Sequence, residues 1–151
     1  MERADKGLAF MMQYENVAWY DSGEVRILDR RVYPRRVEFV TCRTYEEVTQ
    51  ALRDMVTQST GPFTAAAMGM ALAAYQCRHM AAAQQVAYLE RAMDTISHAR
   101  PTTVGRMQLI CGGCLEAARA AIEKGVPDVA LAIRDYTVAT NNRRYNRVGQ
   151  M

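Results

Sequence analysis

An α+β domain is what this 151-residue sequence predicts, with a small three-stranded antiparallel sheet followed by a bundle of about five helices. Three observations carry the prediction. Polar and apolar residues alternate with a period of two between residues 17 and 41, the mark of half-buried strands. From residue 44 onward the apolar residues recur at three- and four-residue spacing and are punctuated by caps and prolines. Between them, residues 61–74 form a stretch of Ala, Met, Gly and Leu too small-sided and too apolar to lie at a surface. Strands first and helices afterwards give an α+β order rather than alternating βα units.

In chain order, residues 1–14 form an arm in which charge alternates with Leu8, Phe10, Met11 and Met12. The pattern fits a short helix or a partly ordered segment equally. Residues 15–151 read as one domain. Val17 to Tyr20 leads into Asp21-Ser22-Gly23, a hairpin-type turn. Glu24, Val25, Arg26 and Ile27 alternate as a second strand, and residues 37–41 as a third, beyond a loop containing Pro34. Three strands suffice for a sheet when one face lies on helices. The first long helix opens at Thr44 with Glu47 three residues on, a capping box. Its apolar face is Val48, Leu52, Met55 and Val56. Gly61 releases the chain and Pro62 starts the next helix, where a missing N–H costs nothing. A third helix carries Val86, Leu89, Met93 and Ile96 and ends before Pro101. The fourth starts at Thr102 or Thr103, with Val104, Met107, Cys111, Leu115, Ala118 and Ile122 as its stripe and Lys124-Gly125 as its stop. Pro127-Asp128 begins the last helix, with Val129, Ile133, Tyr136 and Thr140 on one side.

Composition narrows the function classes. The net charge is +3, half of the residues are hydrophobic and 8% are aromatic. The arginines are dispersed apart from Arg30/Arg31, Arg35/Arg36 and Arg143/Arg144/Arg147, so solvated surface is the better reading and a nucleic-acid groove is disfavoured. Residues 1–12 lack the apolar core of a signal peptide, and residues 63–75 are too short to span a bilayer. Four cysteines do not make a disulfide framework in a chain of this size, so a reducing cytoplasm is the expected location.

Candidate chemistry is sparse. Cys111-Gly112-Gly113-Cys114 is a C-x-x-C, yet zinc needs two further ligands at suitable spacing, and Cys42, Cys77, His79 and His98 are scattered. A redox pair belongs in a βαβ context, whereas these cysteines fall on an apolar helical stripe and read as small buried hydrophobes. The paired glycines between them imply close packing or a break. His79 and His98 stand near helix ends without a carboxylate or nucleophile at a telling distance. Phosphate-loop, dinucleotide, nucleophile-elbow and zinc-protease motifs are absent. The residues name no catalytic group, no metal ligands and no cofactor.

One resemblance is specific. Val25 to Pro34, then Val37 to Val40, Thr44 to Val48, Leu52-Arg53-Asp54-Met55-Val56 and Ala65 to Ala74, in that order, resemble the amino-terminal domain of 5-methylthioribose-1-phosphate isomerases. That family also takes in ribose-1,5-bisphosphate isomerases and the regulatory subunits of initiation factor 2B. Arg100-Pro101-Thr102-Thr103-Val104 is similar to the family's Arg-Pro-Thr-Ala-Val-Asn segment, with Gly105 in place of Asn. The resemblance implies a three-stranded sheet on a helical bundle. It also implies a second, Rossmann-like domain holding a catalytic cysteine and aspartate that move a proton between C1 and C2 of the opened sugar phosphate. The sequence is expected to lack that domain, since Asn146-Arg147-Val148-Gly149 resembles the lead-in to it.

The central corner departs from the family. Arg53-Asp54-Met55-Val56 is followed by Thr57-Gln58-Ser59-Thr60-Gly61-Pro62, about one residue shorter than the family's Arg-Gly-Ala-Pro-type turn and without its arginine. A bidentate phosphate contact is thereby replaced by neutral donors. What the resemblance leaves for phosphate is Arg100 together with Gly61 and Pro62 at a helix start. Two functions follow. One is a non-catalytic, free-standing relative acting as a binding or assembly module, closed by homo-oligomerisation. The other is half of a split aldose–ketose isomerase completed by a separate Rossmann-like subunit, or a truncated isomerase, with a sugar phosphate as ligand. The split enzyme leaves an apolar face uncovered, which a self-sufficient module would close by homo-oligomerising or by polar substitution. That face is expected on the last helix at Tyr136, Val138 and Tyr145 beside Arg143, Arg144 and Arg147.

Overall fold

The computed structural model describes the backbone of residues 3–149 and the side chains of residues 3–143. The arm contains a 3₁₀ turn, Phe10–Met12, and runs into a one-turn helix α1, Tyr14–Val17. Strands β1 (Ala18–Asp21), β2 (Glu24–Leu28) and β3 (Phe39–Cys42) follow, then helices α2 (Tyr45–Arg53), α3 (Gly61–Gln76), α4 (Ala82–Ser97), α5 (Val104–Glu123) and α6 (Val129–Gly149).

The strands form an antiparallel sheet in the order β1-β2-β3. Asp21 pairs with Glu24, which leaves Ser22 and Gly23 as a two-residue turn, both at positive φ (49° and 84°). That double left-handed geometry matches the twist of the flanking strands. Val25 and Ile27 alternate onto the buried face, opposite Cys42 and Val40. The third strand lies two residues later than the alternation placed it. Val37 is 56% exposed and joins no ladder, so its alternation with Phe39 has no face to serve.

Helix α3 is the centre of the fold. Residues 65–74 are buried on every side, and α2, α4, α5, α6 and β1 all pack on them. A helix apolar all round belongs in the interior, and the small side chains let its neighbours approach. A Cβ at Gly69 would stand 3.0 Å from Val48 on α2 and 3.2 Å from Ile96 on α4. Gly113 of α5 serves the same end, because a Cβ there would lie 2.3 Å from the Tyr136 hydroxyl of α6, whereas Gly112 meets only Met93 at 3.7 Å. The result is close packing, and α5 runs through both glycines unbroken.

Two details of α2 differ from the pattern. Thr44 Oγ1 accepts from the Glu47 N–H (3.1 Å), as a cap should, but Glu47 reaches back to the N–H of Arg43 (3.1 Å), one residue before the cap. Val48, Leu52 and Val56 are buried, whereas Met55 is 47% exposed. The helix stops at Arg53, and Met55 (φ 59°) takes the left-handed position that follows a helix end. There the Met55 N–H donates to Leu52 C=O and the Val56 N–H to Ala51 C=O, the double bond of a Schellman motif. In α6 the buried residues are Ala130, Ile133, Thr137 and Asn142, with Thr140 exposed and Tyr136 and Val138 half-buried. The side chains of Arg144, Tyr145 and Arg147, expected on an exposed face, lie outside the described residues.

The arm is tied to the domain from both sides. Asn142 Oδ1 accepts from the Ala4 N–H (2.8 Å) and from the Tyr14 hydroxyl (2.6 Å). Asp5, buried, accepts the Tyr14 N–H at 2.6 Å and pairs with Arg3, which also pairs with Glu15. The Arg3 guanidinium lies 5.7 Å from the Trp19 ring, and Arg134 of α6 lies 4.7 Å from it.

Glycine is the residue a left-handed position favours, and Met55 has its side chain in solvent. Met55→Gly is expected to raise stability by about 0.5–1 kcal/mol, relief of left-handed strain exceeding the added unfolded-state entropy. Urea denaturation checks this, the midpoint rising at unchanged slope.

Candidate functional site

The corner between α2 and α3 holds Gly61 and Pro62, and Arg100 reaches it from the α4–α5 connection. After the left-handed Met55, Val56 C=O accepts the Arg30 N–H at 2.7 Å, which pins the corner to the loop beyond β2. Thr57 is 2% exposed and its hydroxyl lies over Gly61, where a Cβ would stand 1.9 Å from Thr57 Oγ1. Only glycine fits there. Ser59 is a second left-handed residue, at φ 63°. The Gly61 N–H donates to Gln58 C=O (3.1 Å), Pro62 has none to give, and the Phe63 N–H donates to Thr60 C=O (3.3 Å). The first N–H groups of α3 are therefore already engaged with backbone. A cavity of about 110 Å³ opens beside the corner, with Thr57, Ser59, Thr60, Thr64, Arg30 and Asn141 among its lining residues. Met11 and Met12 of the arm form its far wall.

Arg100 arrives from the opposite side. It stands at the start of the 3₁₀ turn Pro101–Thr103 between α4 and α5. Its Nε donates to Leu52 C=O (2.8 Å) and its Nη2 to Thr57 C=O (2.9 Å). The first is a carbonyl at the α2 terminus that also accepts the Met55 N–H. No carboxylate lies within ion-pair distance of Arg100 among the described residues. Partial burial pushes its pKa below the usual value for a guanidinium. Structure thus brings Arg100, Gly61 and Pro62 to one corner, with Arg100 touching it through Thr57 and outside the cavity wall. Sequence reasoning did not find the Arg30 bond or the methionine wall. Neither has a local signal, because each joins segments 26 or more residues apart.

The thiols are withdrawn from chemistry. Cys42, Cys77, Cys111 and Cys114 are free and buried. Burial pushes Cys42 up to about 11, Cys111 and Cys114 up to about 12, and Cys77 upward also. Cys111 and Cys114 face the core from α5 as small apolar residues, Cys114 at 3.9 Å from the Thr137 hydroxyl. His98 is exposed and its ring nitrogen lies 2.7 Å from Asp94 C=O. Among the described residues, no group of three His, Cys, Asp or Glu is placed to hold a metal ion, and no helix is long and apolar enough to cross a membrane.

No protein-family model matches the chain. The methylthioribose-1-phosphate isomerase of Caldanaerobacter subterraneus subsp. tengcongensis is 32% identical over 123 residues, which are 77% of this chain and 34% of that protein. Among solved structures, translation initiation factor eIF-2B subunit delta from A. fulgidus is similar with a TM-score of 0.68 at 25% identity, covering 80% of this chain and 36% of the other. The 5-methylthioribose 1-phosphate isomerase of Pyrococcus horikoshii OT3 has a TM-score of 0.59 at 21% identity, over 81% of this chain and 33% of the other, a likeness of fold. The chain spans roughly a third of the length of these curated and solved relatives.

Two outcomes are expected. Arg100→Ala removes the donor to Thr57 C=O and one of the donors to Leu52 C=O, and should destabilise the domain by about 1–3 kcal/mol, measured by urea denaturation. The four thiols should resist a disulfide reagent at pH 8 in the folded chain and react at once in denaturant. Because their folded pKa values lie above the ordinary value of about 9, the folded chain keeps protons that the unfolded chain gives up. Their contribution to stability is complete below pH 9 and is lost as pH rises from 9 towards 12, which denaturation midpoints across that range check.

Proposed function

Since the chain belongs to the family of methylthioribose-1-phosphate isomerases and initiation factor 2B subunits, of whose proteins it spans about a third, we propose that its 151 residues act as a non-catalytic binding or assembly module. The observation that carries this reading is how the reactive groups are used. Each thiol is buried with a raised pKa, so none supplies a thiolate near neutral pH. Arg100 spends two of its donors on backbone carbonyls, and the turn from Thr57 to Pro62 carries no charged side chain where the resemblance implies an arginine. A phosphate contact here would rest on Arg100, with Gly61 and Pro62 shaping the corner.

A second reading is kept by two observations. Arg100 has no carboxylate partner among the described residues, and Leu109 on α5 is 77% exposed beside half-buried Ile110. Both fit one half of an aldose–ketose isomerase whose Rossmann-like half covers α5 and supplies the reacting groups.

The test is an isomerase assay of the purified chain on methylthioribose 1-phosphate, run beside light scattering over a concentration series. The module reading expects no conversion to the ketose above the uncatalysed rate and a stable oligomer. Conversion by the chain alone would overturn it. A monomer that binds hydrophobic dye, without turnover, would favour the half-enzyme.

A further inference from the structure

A second cavity lies at the other end of the bundle from the corner. It is a cleft of about 560 Å³, within the range of small-molecule sites, and its lining shares no residue with the corner cavity. Four segments build it: the β1–β2 turn, the end of α3, the start of α4 and the α5–α6 connection. Its floor is apolar, with Ala74, Leu89 and Ala130 buried. Tyr20 is 2% exposed in the same floor, where burial pushes its phenol pKa up and the Asp128 carboxylate pushes it the same way.

The walls are shaped in advance. Gly23 leaves room for Tyr75, whose ring would stand 2.7 Å from a Cβ at that position. The Arg78 guanidinium lies 3.8 Å from the Tyr75 ring centroid, and its Nη1 donates to Tyr75 C=O at 2.8 Å. The Gln85 amide donates to Arg78 C=O at 3.2 Å. On this side α4 begins at Ala82 with no side-chain cap and no acidic residue in its first turn, so helix dipole and guanidinium carry the same sign. The facing wall is acidic. Asp128 Oδ1 accepts the Leu131 N–H at 3.0 Å, which fixes the carboxylate at the start of α6. Asp21 lies on the rim, 3.9 Å from Arg134 Nη1.

We propose that this cleft binds a small zwitterion of the α-amino-acid class, a single amino acid or dipeptide with an apolar side chain. Its carboxylate meets Arg78, its ammonium group meets Asp128 and Asp21, and its side chain covers Leu89 and Ile122. Charge complementarity selects this class. A simple anion or cation would satisfy one wall and leave the other unmatched, and a neutral apolar molecule would satisfy neither. The corner site has no part in it, so its success or failure is separate from that of the proposed function.

The test is a titration of the full chain, ¹⁵N-labelled, with L-leucine and L-alanyl-L-leucine, followed by amide chemical shifts. Two variants keep the fold. Arg78→Gln alters an exposed side chain, and Asp128→Asn retains a good N-cap. Saturable shifts are expected at Gly23, Tyr75, Arg78, Gln85 and Val126. Arg78→Gln should weaken both probes about tenfold or more, the loss of one charge-assisted hydrogen bond. Asp128→Asn should weaken L-leucine while leaving N-acetyl-L-leucine, which has no ammonium group, as weak as before. Absence of saturable shifts with both probes overturns the proposal. So does binding that Arg78→Gln leaves unchanged, or shifts confined to residues 57–64.

Discussion

Everything in this domain depends on one helix being thin. Helix α3 is enclosed on all sides by four helices and a strand, and only a cylinder of Ala, Gly, Met and Leu admits so many neighbours at backbone range. Dense packing of that kind is intolerant of added volume. It also has no polar stripe to anchor it, so the position of α3 is set wholly by the elements around it and by what happens at its ends. The start of the helix is held through Gly61 under the Thr57 hydroxyl. Its far end is held by Gln76, whose side-chain oxygen accepts the Tyr45 N–H at 2.8 Å and ties α3 to the opening of α2.

The corner at the head of α3 shows how a ligand-type residue becomes a structural one. An arginine reaching two main-chain carbonyls at once is a clamp across the chain reversal from α2 to α3. Without it, the Thr57 carbonyl in a buried turn would need another donor, while Leu52 C=O would keep only the Met55 N–H. Two left-handed non-glycine residues, Met55 and Ser59, bracket the reversal. The corner is thus an over-determined piece of backbone, the kind of environment in which strained geometry persists. Its cavity is a by-product of that geometry as much as a receptacle.

Most of the architecture was legible from periodicity and caps. Thr44, Pro62, Pro101, Gly125 and Asp128 each mark a helix boundary within a residue or two, because capping is local chemistry written in adjacent residues. The burial of Cys111 and Cys114 was legible as well, since both fall on the stripe that holds Met107 and Ala118. The exposure of Met55 was not, although it stands at perfect helical spacing from Leu52. Nothing in the sequence says that α2 ends two residues earlier, because its C-terminal signal is a methionine where a glycine would announce it. The start of β3 was misplaced for a related reason. Alternation reports a face only where a face exists, and Val37 alternates in solvent. The roles of Arg100 and Asn142 stayed hidden because their partners lie 43 to 138 residues away.

The surroundings of Trp19 have a consequence for how the chain is tied together. This tryptophan is the only one in the sequence. It is flanked by guanidinium groups from Arg3 and Arg134, the first from the arm and the second from the last helix. The arm and the last helix thus meet on one indole in the first strand. Such a closure is of very long sequence separation and belongs among the last contacts a folding chain makes. Indole emission therefore reports on the docking of the first strand on α3 together with the meeting of arm and last helix.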